Sequence, residues 1–317
     1  MLVAETVKNN LAVHKRAMRL MGNGFEISVV DHDPASAHAH IDAAVAEISR
    51  IEKLLTTFSD DSQTNLVNRH AGIAPVKVDR EMFDLVSRSV KISALTQGAF
   101  DITYGSIDKR LWNFDTKMTS LPDAATALEA VRLINYKNIE LDPEACTIFL
   151  REKGMRIGFG GIGKGYAAEM AKVALKKRGV QSAVVNASGD LTAWGLQPNG
   201  QKWTVGIADP NLSEQIFSYL AITDLSVATS GNYEKFAIIN GKKYSHTINP
   251  RTGLPVTGIK SVTIVTTNAE IADAMATPVT IMGIHAGLDM INQMNNIEAI
   301  IIDDNNRLYT SKNINIK

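Results

Sequence analysis

The sequence predicts an α+β fold, and three observations carry that prediction. Long stretches hold apolar residues at three- and four-residue steps, the period of an amphipathic helix. Short β-branched runs come in groups joined by turn chemistry, as at 137–142 and 146–151 around Asp142-Pro143. The C-terminal half is strand-rich, with candidate strands at 181–186, 203–207, 216–222, 235–239, 261–266 and 297–302, interrupted by helical patterns at 269–282 and 285–293. Long helices beside hairpin-linked strands fit packed mixed sheets and not a regular βαβ alternation. No internal repeat, low-complexity run or linker divides the chain, and its 317 residues suit one large domain or two ordinary ones, with residues 1–16 as an N-terminal lead.

Taken in order, residues 17–30 (AMRLMGNGFEISVV) read as a strand interrupted by Gly22-Asn23-Gly24. Asp33-Pro34 is an N-cap followed by proline at the first helical position. The helix after it carries Ile41, Val45, Ile48, Ile51, Leu55 and Phe58 at three- to four-residue steps, which makes Phe58 either the end of a core-facing stripe or a residue free for another task. A second helix is expected from Asp79 to about Leu95, stopped by Thr96-Gln97-Gly98, with AFDITYGSI following in extended or looped form. Ser120-Leu121-Pro122-Asp123 opens a third helix to about Ile134. A glycine-dense turn, GMRIGFGGIGKGY, leads into a helix with Tyr166, Met170, Val173 and Lys177 on one side, closed by Arg178-Gly179.

The chain has 317 residues, 45% hydrophobic and 21% charged, as an ordinary globular protein does. Lys plus Arg and Asp plus Glu are both 33, so no nucleic-acid or membrane surface is expected. Cys146 is the only cysteine, which rules out an intramolecular disulfide, and its apolar surroundings (CTIFL) read as a buried strand. The opening MLVAETVKNNLAVHKRAMRLMG lacks the parts of a secretory signal, and no run of about 18 apolar residues occurs, so a cytoplasmic protein is expected.

Candidate chemistry concentrates between Lys243 and Thr277. His246 precedes a stiff turn, Asn249-Pro250-Arg251-Thr252-Gly253. Asp273 and Thr277 stand four apart, which on a helix puts both side chains on one face. A carboxylate and a hydroxyl there suit a hard cation such as Mg²⁺, although the same spacing also occurs on plain helix surfaces. The second centre is Gly158-Phe159-Gly160-Gly161-Ile162-Gly163-Lys164. Its G-x-G-x-x-G lacks the acidic residue of a dinucleotide fingerprint, and its G-x-x-x-x-G-K has Gly165 where a P-loop needs a hydroxyl. A helix N-terminus with a nearby lysine still favours phosphate or pyrophosphate. The alternative is a tight strand-to-helix turn with a solvated Lys164.

In this order, several segments resemble the ApbE family, the FAD:protein FMN transferases. They are Met21-Gly22, FSDDSQTNLVN (58–68), TQGAFDITYGSI (96–107), GGIGKGYAAE (160–169), VVNASGDLTAWG (184–195), WTVGIADP (203–210), SVATSGNYEK (226–235), YSHTINPRTGLPV (244–256), SVTIV (261–265) and ADAMAT (272–277). The resemblance implies one α+β unit of largely antiparallel sheets with flanking helices and a long FAD cleft. It implies Mg²⁺-dependent cleavage of FAD, transfer of FMN to a Thr or Ser hydroxyl of an acceptor protein, and release of AMP. Some members hydrolyse FAD to FMN and AMP instead, and a non-catalytic flavin-binding protein is a third reading.

By the same resemblance, Asp273, Thr277 and the Gly161 carbonyl are the metal ligands. Lys164 lies on the FAD side of the glycine loop. His246 accepts a proton from the attacking hydroxyl or orients the phosphate. Ala99, Phe100 and Asp101 match a loop at the flavin or adenine, and Met21 and Phe58 match apolar positions beside the cofactor. The chain departs from the pattern at Gly158, where members often carry Asp, and at Ser188 in the usual Gly-Gly-Asp. It departs again at Ser106 in place of proline, which is expected to loosen that turn. Acceptor segments of the family carry Ser/Thr-Gly-Ala-Thr. Thr96-Gln97-Gly98-Ala99-Phe100 and Thr229-Ser230-Gly231-Asn232 both fall short of that, so the acceptor is expected to be a separate cytoplasmic protein.

Overall fold

The computed structural model describes residues 11–112, 118–208, 216–231 and 236–314. Most of the expected N-terminal lead, the end of WTVGIADP and the NYEK of SVATSGNYEK lie outside the described residues.

The fold is α+β, centred on an eight-stranded sheet whose strands lie side by side in chain order. They are Ala12–Leu20, Asn23–Asp31, Ala183–Ala187, Asp190–Trp194, Leu225–Gly231, Ile259–Thr266, Ile297–Asp303 and Leu308–Thr310, and every neighbouring pair is antiparallel. The sheet is a meander whose connections carry the other elements. Two of its turns need left-handed backbone at both residues, as two-residue hairpins of this hand do: Met21-Gly22 (φ 51° and 73°) and Ser188-Gly189 (φ 56° and 97°). The first corrects two expectations. The strand over 17–30 is a hairpin that turns at Met21-Gly22, and residues 12–16 belong to its first arm and not to a lead.

The long connection between the second and third strands holds helices Pro34–Leu55, Gln63–Arg69, Arg80–Leu95, Ala124–Ala130 and Gly163–Lys177, with a small sheet of Val76–Lys77, Ile139–Asp142 and Thr147–Leu150. Two helix starts follow the expected Asp33 and Asp123 caps, helix Arg80–Leu95 opens after Asp79 without a side-chain cap bond, and Asn268 adds a cap that was not among the expectations. Asp33 accepts from the Ala35 and Ser36 N–H groups, Asp123 from Ala125 and Thr126, and Asn268, which opens helix Ala269–Met282, from Ile271. The third helix stops at Ala130, short of Ile134. Val131 and Ile134 bend in to pack with Ile107 and Ile248, and that packing overrides the helical period. Helix Pro34–Leu55 ends before Phe58, which is fully exposed, so the core-stripe reading of Phe58 does not hold. Cys146 sits half-buried in a turn at φ 56°, and not inside a strand.

Successive strand residues face opposite sides of the sheet. Leu191, Ala193 and Val227 face the hairpin of Trp203–Ala208 and Ile216–Ile222, packing with Trp203 and Ile222. Trp194 and Ala228 face the other way, into a core shared with Ile41, Ile48, Ala167, Ala171, Ala272 and Val279 of three helices. Asp190 and Thr192 share the parity of Trp194, so the strand turns a carboxylate towards that helix layer. Among the described residues no helix is long and apolar enough to cross a membrane.

Candidate active site

The site is built where helices Gly163–Lys177 and Ala269–Met282 cross. Gly165 is the contact point. A Cβ there would lie 2.6 Å from Asp273 Cβ and closer still to the Ala269 carbonyl oxygen, so only glycine permits the crossing. Helix Gly163–Lys177 starts without a side-chain cap of its own. Asp273 of the other helix supplies one, with Oδ2 accepting the Gly165 N–H at 2.8 Å. Asp273 is therefore a buried helix-capping carboxylate, 7% exposed, and not part of a plain helix surface.

Lys164, the residue before that contact, pairs its ammonium with Asp190 Oδ2. The solvated-lysine reading does not hold. Asp190 Oδ1 also accepts the Thr229 N–H at 3.2 Å, which fixes the carboxylate between two strands and the helix start. Asp190 is the functional residue the sequence reasoning passed over. Its signal was a carboxylate directly following a Ser-Gly turn and opening the strand DLTAW.

Burial first and the Asp190 charge second raise the pKa of Asp273, Lys164 with the Gly165 and Lys164 N–H groups pulls it back, and the balance stands at about 7. Two buried carboxylates facing a single ammonium leave this cluster net negative, an environment that a cation would relieve. Asp273 and the half-buried Thr277 are one helical turn apart. With the Gly161 carbonyl that the resemblance adds, they would be an all-oxygen donor set, a chemistry that suits Mg²⁺ better than a soft metal. Among the described residues no group of three or more His, Cys, Asp or Glu is arranged to hold a metal.

Around the glycine loop stand other expected residues. A Cβ on Gly161 would lie 3.6 Å from the Phe100 ring, and one on Gly163 would lie 3.8 Å from the Met21 Sδ-methyl. Met21, Phe100, Gly161 and Gly163 thus share one neighbourhood. Ala99 and Phe100 are buried, 3% and 6% exposed. Asp101 is 8% exposed and already engaged. It accepts from Thr103 N–H at 2.8 Å, Thr103 Oγ1 at 2.6 Å and Tyr136 N–H at 2.9 Å. Burial still raises its pKa above the usual carboxylate value. Asp101 acts first as the staple of its own loop. Ser106 tightens its turn, contrary to expectation, because its hydroxyl accepts from Arg156 N–H at 2.8 Å and donates to Arg156 C=O at 3.2 Å.

His246 is exposed, one residue past strand Lys242–Ser245. The segment after it is firmly tied. Asn249 N–H donates to Leu254 C=O at 2.9 Å, Asn249 C=O accepts from Gly253 N–H at 2.9 Å, and Asn249 Oδ1 accepts from Arg251 N–H at 2.9 Å. Arg251 reaches Gln97 C=O at 2.6 Å, linking this turn to the loop that carries Ala99, Phe100 and Asp101. Gly253, at φ 68°, packs so closely on helix Ala124–Ala130 that a Cβ would collide with the Ala127 carbonyl.

A helix N-terminus and a lysine set against buried carboxylates form a place for a phosphate-bearing ligand with a hard cation. The ApbE family model matches residues 21–301, and the chain belongs to the ApbE family. A relative from Klebsiella pneumoniae (strain 342), named FAD:protein FMN transferase, is 31% identical over 301 residues, covering 94% of this chain and 92% of its own. A protein of the same name from Treponema pallidum (strain Nichols) is 29% identical, covering 95% of this chain and 87% of its own. Among solved structures, the ApbE protein of Thermotoga maritima matches with TM-score 0.83 and 26% identity over 95% of this chain and 97% of its own. The flavinyl transferase ApbE of Pseudomonas stutzeri matches with TM-score 0.82 and 25% identity over 95% of each chain.

Proposed function

We propose that this chain is an FAD:protein FMN transferase acting as a single domain. It moves FMN from FAD to a Thr or Ser hydroxyl of a separate acceptor protein. The hydroxyl oxygen attacks the phosphorus of the FMN half, the bond from that phosphorus to the AMP oxygen breaks, and the hydroxyl proton leaves. The products are a phosphoester-linked flavin and AMP. The observation that carries this reading is the convergence of Lys164, Asp190, Asp273 and the glycine-loop helix start, in a chain whose relatives bear that name.

Phosphoryl-type transfer needs positioning and relief of charge at the pyrophosphate. Asp273, Thr277 and the Gly161 carbonyl are the residues that would hold Mg²⁺, which would supply that charge relief when bound. Lys164 orients the FAD phosphates from the helix start. Met21, Phe58, Ala99 and Phe100 flank the flavin or adenine, and Asp101 shapes the loop carrying two of them. His246 takes the hydroxyl proton. Thr96 and Thr229 are poor acceptors, since the Thr96 hydroxyl is buried and donates to Ile92 C=O at 2.9 Å and the Thr229 hydroxyl lies 2.9 Å from that of Thr263.

The test is incubation with FAD, Mg²⁺ and a candidate acceptor, followed by intact mass. The expected result is a gain of one FMN on the acceptor and none on this chain. FMN and AMP appearing without any covalent gain would replace transfer by FAD pyrophosphatase activity, and no turnover with bound FAD would leave a flavin-binding protein.

A further inference from the structure

We propose that Glu169 is a positioning residue of the cation site, a claim that rests on the assignment of Asp273 and Thr277 above. The two crossing helices cap each other. Asp273, in the second turn of helix Ala269–Met282, accepts from the start of helix Gly163–Lys177 at Gly165. Glu169, in the second turn of helix Gly163–Lys177, accepts in return from the first residue of the other, with Oε2 2.9 Å from the Ala269 nitrogen. Its second oxygen is used as well. Glu169 Oε1 pairs with Lys172 at 2.7 Å, and Lys172 donates to Thr267 C=O at 3.2 Å, in the link that leads into the helix. Glu169 is 8% exposed, and its bond to the Ala269 N–H is buried, shielded from water.

Helix Ala269–Met282 does not need Glu169 in order to start. Asn268 already caps it through the Ile271 N–H. What Glu169 adds is location, because it fixes the Ala269 end against the other helix. Ala269, Asp273 and Thr277 follow at four-residue intervals, so a shift or rotation at Ala269 carries to both expected ligands. Gly165 sets the distance of approach at the crossing and Glu169 sets the register along it. The Arg88 guanidinium bonds Glu270 at 2.7 and 3.0 Å and ties the next residue to helix Arg80–Leu95, which leaves Glu169 to hold the site side.

Partners outside the ligand shell typically change metal affinity by about 10–100-fold when removed. The test is an Mg²⁺ titration read by thermal shift without FAD, on the wild type, Glu169→Ala, Glu169→Gln and, as a destabilised control in the three-stranded sheet, Leu150→Ala. The midpoint for Glu169→Ala is expected to rise by about 10–100-fold. Glu169→Gln, whose amide oxygen can still accept the Ala269 N–H, is expected to recover most of that loss, and Leu150→Ala is expected to keep the wild-type midpoint at a lower melting temperature. A wild-type midpoint in Glu169→Ala, an equal rise in Leu150→Ala, or a Gln variant no better than Ala would overturn the inference alone. A wild type that does not respond to Mg²⁺ would overturn the cation assignment and this inference with it.

Discussion

Lys164, Asp190 and Asp273 sit where two helices pack on the central sheet, whereas Phe58 and His246 sit on turns outside any helix or strand. The first group is buried or half-buried, and each member has a named partner from another element. Phe58 is fully exposed and His246 is exposed. The contrast follows from the tasks proposed for them. Holding charge against charge needs low dielectric and fixed geometry, so the fold supplies burial and reciprocal caps. Meeting a flavin and a protein acceptor needs open surface, which turns on a rigid frame provide. Substitutions that break the packing or the caps of the buried centre should therefore cost stability and activity together, while those at the rim should change activity alone.

The largest effect is expected at the crossing itself. Gly165→Ala places a methyl group against the Ala269 carbonyl and Asp273 Cβ, where backbone has to move. Overpacking typically costs about 1–3 kcal/mol, and a backbone collision belongs at or above the top of that range. Thermal unfolding and Mg²⁺ response should fail together. A well-folded Gly165→Ala protein with a normal Mg²⁺ response would show that the crossing does not set the site.

Asp273 separates capping from cation binding. Asp273→Asn keeps an oxygen for the Gly165 N–H but loses the charge, so it should stay folded while losing transfer at any practical Mg²⁺ concentration. Asp273→Ala should lose transfer and also about 1 kcal/mol of stability with the cap. Near-normal turnover of Asp273→Asn at limiting Mg²⁺ would move the cation elsewhere.

At the rim, His246→Ala should lower turnover by about 10²–10⁴-fold with FAD affinity little changed and melting temperature unchanged. Loss of FAD binding with normal turnover per bound FAD would make His246 a binding residue only.

The pH dependence of stability sharpens the same contrast. The folded pKa of Asp273 is raised above its ordinary value of 3.8 to about 7, so its contribution to stability is fully present below 3.8 and is lost as pH rises through about 7. In EDTA the wild type should therefore lose stability relative to Asp273→Asn as pH rises from about 4 to about 7, and level off above that. Mg²⁺ should restore more at pH 8 than at pH 5, where Asp273 is protonated. Parallel melting curves for the two proteins across that range would remove Asp273 as the source.

Much of this frame was readable from residues. Asp33-Pro34 and Asp123 mark helix starts because cap chemistry is local, and the structure opens helices there, while helix Arg80–Leu95 opens after Asp79 without a side-chain cap bond. The glycine loop, Lys164 and Asp273 were legible as chemistry, but their meeting was not, since it depends on a helix crossing that brings residues 165 and 273 together. Asp190 was hidden for a related reason. The alternation of Asp190-Leu191-Thr192-Ala193 reads as a strand with one solvated face, whereas all five residues of strand Asp190–Trp194 are buried, and its Ser188-Gly189 turn looks in sequence like a loop motif. Asn240-Gly241 was a readable hairpin signal left unused, and the structure turns there between Phe236–Ile239 and Lys242–Ser245. Met21 misled because a non-glycine residue at φ 51° is uncommon, which shifted the expected break onto Gly22-Asn23-Gly24.

The smallest expected effect is at Phe58. A fully exposed phenylalanine makes no packing contribution of its own, so Phe58→Ala should leave unfolding within about 0.5 kcal/mol of wild type. Its place is nevertheless defined. Phe58 N–H donates to Thr56 Oγ1 at 3.1 Å, and the Asn65 side-chain amide donates to the carbonyls of Thr57 and Ser59 at 2.9 and 2.8 Å, gripping the chain on either side of it. A turn held this firmly around an apolar ring in water fits a residue waiting for a flat partner. Stacking on an aromatic ring is worth about 0.5–1.5 kcal/mol beyond area burial, which corresponds to roughly a 2- to 13-fold rise in the KM for FAD on truncation. Turnover at saturating FAD should stay near wild type, and Phe58→Trp should restore the KM. An unchanged KM in Phe58→Ala would detach this ring from FAD and leave the rim's role to His246.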